Sequence, residues 1–337
     1  MLGVELPVIQ APMAGVQVSA LTIAVCQAGG LGSLPCALLD PAAIRREIAA
    51  IRAATSAPFN LNFFCHRPPV ADAAREASWR HALAPFYLEQ GLDIDAVAAG
   101  AGRFPFDAAG AALVEELRPA VVSFHFGLPE AGLVERVHAA GARILASATT
   151  VEEAVWLEAH GADAVIAQGL EAGGHRGHFL DDDLSLQSGT LALLPQVVRA
   201  VRVPVIAAGG IADRAGVQAA LGLGAAMVQV GTAYLCCPEA MTSRIHRAAL
   251  MSPAARHTAL TRLFTGRPAR GIVNRVIREV PDHAAPAFPL ASAAIAPLRA
   301  SAEARGSGDF SPLWSGQNAS GCAERPAGKL TRELAGL

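Results

Sequence analysis

The stretch QGLEAGGHRGH at 168–178 gathers glycines, two histidines, an arginine and a glutamate within eleven residues. A histidine flanked by glycine can approach a ligand with little steric hindrance, and imidazole is the side chain that exchanges protons near neutrality. His175 is therefore a candidate acid/base, with a turn-stabilising role as the alternative. His178, followed by Asp181-Asp182-Asp183, reads as part of a solvated loop. Its HxxH spacing fits no standard zinc pattern and the aspartates fall outside EF-hand spacing, so no metal is expected. Two further clusters, Ala208-Gly209-Gly210 and Gln229-Val230-Gly231-Thr232, suit phosphate. Glycine lets backbone N–H groups come close to a ligand, a following helix N-terminus favours negative charge, and Thr232 adds a hydroxyl. Tight strand-to-helix turns are the alternative there.

Each cluster ends a short apolar run, and those runs alternate with helical stretches. Strands are expected at Val8–Met13, Leu31–Leu34, Phe59–Phe64, Ala120–Phe126, Arg143–Ser147, Ala164–Gln168, Val205–Ala208 and Met227–Val230. Helices are expected at Ser19–Ala28 (Ser19 as N-cap), Pro41–Ala54, Glu130–Ala140, Val151–His160, Leu191–Val201, Arg214–Leu221 and Pro238–Leu250. Near-continuous apolar strands imply burial on both faces. Eight such units predict an α/β fold, a (β/α)8 TIM barrel. The doubly wound alternative lacks a GxGxxG after its first strand. In a barrel the site lies at the C-terminal strand ends, with phosphate held after strands seven and eight, where the two glycine clusters fall. Gln10, Asn60 or Asn62, Ser123 or His125, and Ser147 should face the same mouth, Asn60 and Asn62 sharing one face. His125 is either part of that mouth or a satisfied core histidine.

A barrel of this kind takes about 250 residues, and the chain has 337. The surplus falls at 67–118 and 252–337, read as a smaller, mainly helical substrate-side domain beside a barrel of 1–66 and 119–251. A net charge of −2 with 52% hydrophobic residues excludes a disordered chain and leaves no basic surplus for nucleic acid. Lys329 is the only lysine, which excludes a Schiff base in a core site. The N-terminal stretch shows no secretory pattern, apolar runs are too short to span a bilayer, and the six cysteines form no zinc knuckles. A cytoplasmic protein is expected.

VIQAPMAGV at 8–16, NLNFF at 60–64, VSFHFG at 122–127, QGLEAGGHRG at 168–177, AAGGIAD at 207–213, QVGT at 229–232 and SPLWSGQNA at 311–319 together resemble class I nitronate monooxygenases, once called 2-nitropropane dioxygenases. The likeness spans essentially the whole chain, with the motifs in the family's order. It implies FMN as cofactor, contacted by Met13, Asn62, Gln168, Gly173, Gly174, Gly209, Gly210, Gln229, Val230, Gly231 and Thr232. The phosphate would lie at Gly209-Gly210 and Gly231-Thr232. His175 matches the family's active-site histidine, and His125 matches a second one that lines the pocket on the substrate side. The implied reaction is oxidation of anionic alkyl nitronates, propionate 3-nitronate above all, by O2 through a flavin semiquinone, in a detoxifying role. Arg176 and His175 are the nearest sources of positive charge for that anion. EAGGHRG also resembles the loop of flavin-dependent enoyl-ACP reductases, so an NAD(P)H-dependent FMN reductase of enoyl-ACP or quinones is the second reading. A non-catalytic sensor of a phosphorylated metabolite is the third. Monomer and homodimer are both left open.

Overall fold

A computed structural model of the chain describes residues 2–70, 72–97 and 103–337. Within them the barrel strands are β1 (Val8–Gln10), β2 (Gly32–Pro35), β3 (Phe59–Phe64), β4 (Val121–His125), β5 (Arg143–Ala148) and β6 (Ala164–Gln168). After a two-residue β7 (Gly174–His175) they continue with β8 (Val205–Ala208) and β9 (Met227–Val230). All but β7 pair in parallel in the order β1-β9-β8-β6-β5-β4-β3-β2. A bridge between Ile9 and Leu31 joins the sheet's two edges, with Leu31 N–H donating to Val8 O and Gln10 N–H to Leu31 O, each at 2.9 Å. The sheet is thus closed into the expected (β/α)8 barrel. β1 stops at Gln10, short of Met13, because Pro12 has no N–H to extend the ladder beyond Ala11.

The helices that follow the strands are α1 (Ser19–Gln27), α2 (Pro41–Ala54), α3 (Ala73–Gln90), α4 (Ala108–Leu117), α5 (Ala131–Ala139), α6 (Val151–Ala159), α7 (Thr190–Ala200) and α8 (Arg214–Gly222). The start of α2 was legible in local chemistry: Asp40 accepts from Ala43 N–H at 2.7 Å, and Pro41 follows. Ser19 is not the cap of α1 but its first residue. Its N–H and hydroxyl both donate to Glu47 on α2, at 3.0 and 2.6 Å. The helix expected over Pro238–Leu250 is confined to α9 (Arg244–Leu250), which begins where the Ser243 hydroxyl accepts from His246 N–H.

The stretch 252–337 holds helices α10 (Arg275–Glu279), α11 (Ala291–Ala304) and α12 (Ala327–Ala335), and also strands that the sequence reading lacks. β10 (Thr258–Thr261) and β11 (Ala269–Ile272) pair antiparallel, and β11 pairs with β7, placing His175 opposite Ala269. Four-residue strands such as TALT and ARGI are too short to show alternation. A second apolar core lies between α3 and α11, where Trp79, Leu83, Phe86 and Tyr87 meet Ile295 and Leu298. Trp79 Nε1 donates to Ala291 O at 3.2 Å and Tyr87 OH to Ala294 O at 2.5 Å, locking the pair. α4 and α12 belong to the barrel's own core through Leu113, Val114, Leu330 and Leu334, and α12 packs on α1 and α8. Lys329 projects from α12 with its side chain 65% exposed and does not line the cleft described below. Among the described residues no helix is long and apolar enough to cross a membrane.

Candidate active site

A cleft of about 1340 Å³, open mouth included, lies where the barrel strands end. Met13, Asn62, His125, Gln168, Gly173, Gly174 and His175 line it, as do Gly209, Gly210, Gln229, Gly231 and Thr232. Val230 does not: its side chain is 1% exposed and packs into the barrel core. The same alternation that turns Gln229 inward turns Val230 outward. Of the polar residues expected at the mouth, Asn62, Ser123 and Ser147 also line the cleft. Gln10 and Asn60 lie deeper. Gln10 bonds Gln17 at 2.7 Å, and Asn60 Nδ2 donates to Ser33 Oγ and Ser123 Oγ at 3.0 and 2.8 Å. Asn60 and Asn62 share one face, since Asn62 Nδ2 reaches the same Ser123 hydroxyl at 2.9 Å.

The hydrogen bonds fix the tautomer of His125. His125 Nε2 lies 3.2 Å from His175 O, an atom that only accepts, so Nε2 carries the hydrogen. Nδ1 then accepts from the Ser147 hydroxyl at 3.0 Å. Burial, with Arg267 and Arg176 nearby, pushes the His125 pKa down to about 3. Both ring nitrogens are spent inside the protein, and His125 Nε2 together with Gln168 Nε2, 3.0 Å from the same carbonyl, anchors the backbone of His175. The His175 ring is held differently. Nε2 is 2.9 Å from Thr265 Oγ1, and the ring packs among Phe64, Phe126, Phe288 and Trp314 at centroid distances of 5.4 to 6.3 Å. Burial first, then the charge of Arg103, holds its pKa well below 6.5, so it is neutral at pH 7. Nδ1 is left for a ligand.

The two glycine clusters form a cradle. Gly209 and Gly210 adopt φ of +119° and +70°, a conformation that disfavours any Cβ. The segment Trp314–Asn318 closes over them: Gly316 N–H donates to Thr232 Oγ1, and Asn318 Nδ2 to Gly210 O, each at 2.9 Å. Gln229 Oε1, also on the cleft wall, is buried without a partner among the described residues. A buried acceptor of this kind fits a ligand N–H. These are the features a phosphate-bearing heterocycle needs.

Arg176 departs from expectation. It is fully buried and its guanidinium donates to Gln187 Oε1, Gly169 O and Gln168 O at 2.8, 2.8 and 2.9 Å, fastening the loop without facing the cleft. His178 is not solvated either. It is 2% exposed, and Arg267 donates to its carbonyl. Arg103, His246 and Trp314 line the cleft and were missed, as was Thr265 behind His175. His246 Nε2 donates to Trp314 O at 2.9 Å and so positions the tail. SPLWSGQNA marked that tail; nothing local to Arg103 or Thr265 marked them.

A closed parallel barrel with a polar cleft at its strand ends defines an enzyme of the (β/α)8 class. The family model described as nitronate monooxygenase matches residues 1–335. A nitronate monooxygenase of Paraburkholderia phytofirmans is 44% identical over 99% of this chain and 92% of its own length. That of Pseudomonas aeruginosa is 45% identical over 99% and 96%. The crystal structure of nitroalkane oxidase from Streptomyces ansochromogenes superposes with a TM-score of 0.91 at 40% identity, covering 99% of this chain and 96% of that one. The chain belongs to the nitronate monooxygenase family and is an oxidoreductase.

Proposed function

We propose that the protein binds FMN and oxidises anionic alkyl nitronates, propionate 3-nitronate foremost, with O2, a detoxifying role. The observation that carries this reading is one cleft holding both a glycine–threonine phosphate cradle and a neutral histidine with a free ring nitrogen. The phosphate would rest on Gly209-Gly210 and Gly231-Thr232, where Thr232 still has its O–H to donate. Gln229, Gln168 and Asn62 would meet the ring's polar edge, with Met13 beside it. When bound, FMN supplies the capacity to take electrons from the nitronate and pass them to O2.

The chain's own residues prepare the substrate. A nitronate has already lost its α-proton, so His175 in its Nδ1–H form need only donate to a nitro oxygen. For a neutral nitroalkane the other tautomer serves. Thr265 accepts from Nε2–H while its hydroxyl points to Arg267 O at 3.5 Å, and the Nδ1 lone pair takes the α-proton. The aromatic rings around His175 exclude water and keep the imidazole uncharged until then. The pieces built on α3, α10 and α11, with β10 and β11, act as a cap over the substrate side.

The test is anaerobic mixing of the yellow holoenzyme with propionate 3-nitronate, then with NADH. Bleaching by the nitronate, followed by O2 uptake, supports the reading. Bleaching by NADH alone, with nitronate inert, would replace it with the reductase.

A further inference from the structure

Arg103 enters the cleft just ahead of α4. Among the described residues its Nη1 is buried with no hydrogen-bond partner. No Asp or Glu lines the cleft among the described residues, and residues 1, 71 and 98–102 carry no acidic side chain in the sequence. The histidines that share the wall, His125, His175 and His246, are neutral at pH 7 by burial. Arg103 is thus the one formal charge on the wall of the cleft, and arginine stays cationic in proteins. A guanidinium taken out of water without a counter-ion is costly, and the cost is recovered when a ligand supplies the anion. Arg176 cannot play this part, since its donors are consumed by the loop.

The position of Arg103 says which anion. Its Cζ lies 5.3 Å from the centroid of the Phe288 ring, and the His175 ring packs on the same phenyl at 5.4 Å. His66 Nε2 donates to the Arg103 carbonyl at 3.0 Å and the His66 ring packs edge-on against Phe288 at 4.8 Å, so the arginine backbone is held there. The phosphate cradle is built from β8, β9 and the 314–318 segment, whose Trp314 packs on the His175 ring at 5.7 Å. Arg103 and His175 thus flank the same phenyl ring at one end of the cleft wall.

We propose that Arg103 binds the distal carboxylate of the substrate, so that short ω-carboxyalkyl nitronates are preferred over alkyl nitronates with an uncharged tail. This rests on the nitronate reading above and sharpens its substrate class. Charge-assisted, bidentate recognition by arginine is worth about 10- to 100-fold in binding.

The test uses holoenzyme of wild type, Arg103→Met and Arg103→Lys. Turnover of propionate 3-nitronate is compared with that of butyl-1-nitronate. Anaerobic binding of 3-nitropropionate and 1-nitrobutane is read by quenching of tryptophan fluorescence. Arg103→Met should lose about 10- to 100-fold in kcat/KM and in affinity for the carboxylate member of each pair, with the uncharged member within about threefold. Arg103→Lys should keep part of the carboxylate preference, and FMN affinity should be unchanged. Equal losses for both members of a pair would overturn the proposal, as would a loss of FMN affinity, which would assign Arg103 to the phosphate. If wild type turned over neither nitronate, the nitronate reading would fail, and the binding pair would still decide the carboxylate site.

Discussion

His175 owes its chemistry to what it is denied. Burial and the charge of Arg103 keep it neutral, Thr265 fixes one nitrogen, and the other faces the cleft. His175→Asn retains a donor and loses the base. Its kcat/KM with nitroethane should therefore fall about 10²- to 10⁴-fold, while that with nitronate should stay within about tenfold. Parallel steady-state assays check this, and equal losses with both substrates would refute the base. Arg176→Met should act on the scaffold. It leaves Gln168 O, Gly169 O and Gln187 buried without their donor, costing about 3 kcal/mol, to be read from urea midpoints. His175 was legible because glycines flank it and a strand precedes it. Arg103 was not, because AGRFPF carries no pattern, and only its packing over Phe288, far along the chain, turns that side chain into the cleft.

At the scale of elements, the parallel strands could be read from their apolar runs because burial on both faces leaves that signature. The β7–β11 pairing could not, since it joins residues about a hundred positions apart through two-residue contacts that no local periodicity records. The tail that closes the cradle was visible as a motif, but its partners were not. Gly173 shows how closely it fits: a Cβ there would come within 2.5 Å of Gly316 N and 2.6 Å of Ser315 C. Gly173→Ala should therefore push the 314–318 segment off the cradle. Stability should fall by about 1–3 kcal/mol, and FMN affinity by at least about tenfold, measured by fluorescence titration of the apoprotein. Unchanged affinity would mean that the tail is not part of the cofactor site.

Across the whole molecule, His66, His125, His175, His178 and His246 all have pKa values lowered chiefly by burial, to about 3 for His125 and His178 and about 4 for His246. The unfolded chain takes up these protons near pH 6.5, whereas the folded chain does so only well below. The stability they protect is present above pH 6.5 and drains away as pH falls toward their folded values. His178 and His246, 2% and 5% exposed, should each cost about 1.4 kcal/mol per pH unit between 6.5 and 4.5. Urea midpoints from pH 7 to 5, at constant excess flavin, should decline steadily; a flat profile would contradict the burial argument. The closure of the barrel has a different consequence. β1 hydrogen-bonds to β9, α12 packs against α1, and the 314–318 segment completes the cradle. During synthesis the first strand must wait, one edge bare, until β9 at Met227–Val230 has left the ribosome. A nascent chain halted before residue 311 should hold no flavin, because the segment that closes the cradle is still to come.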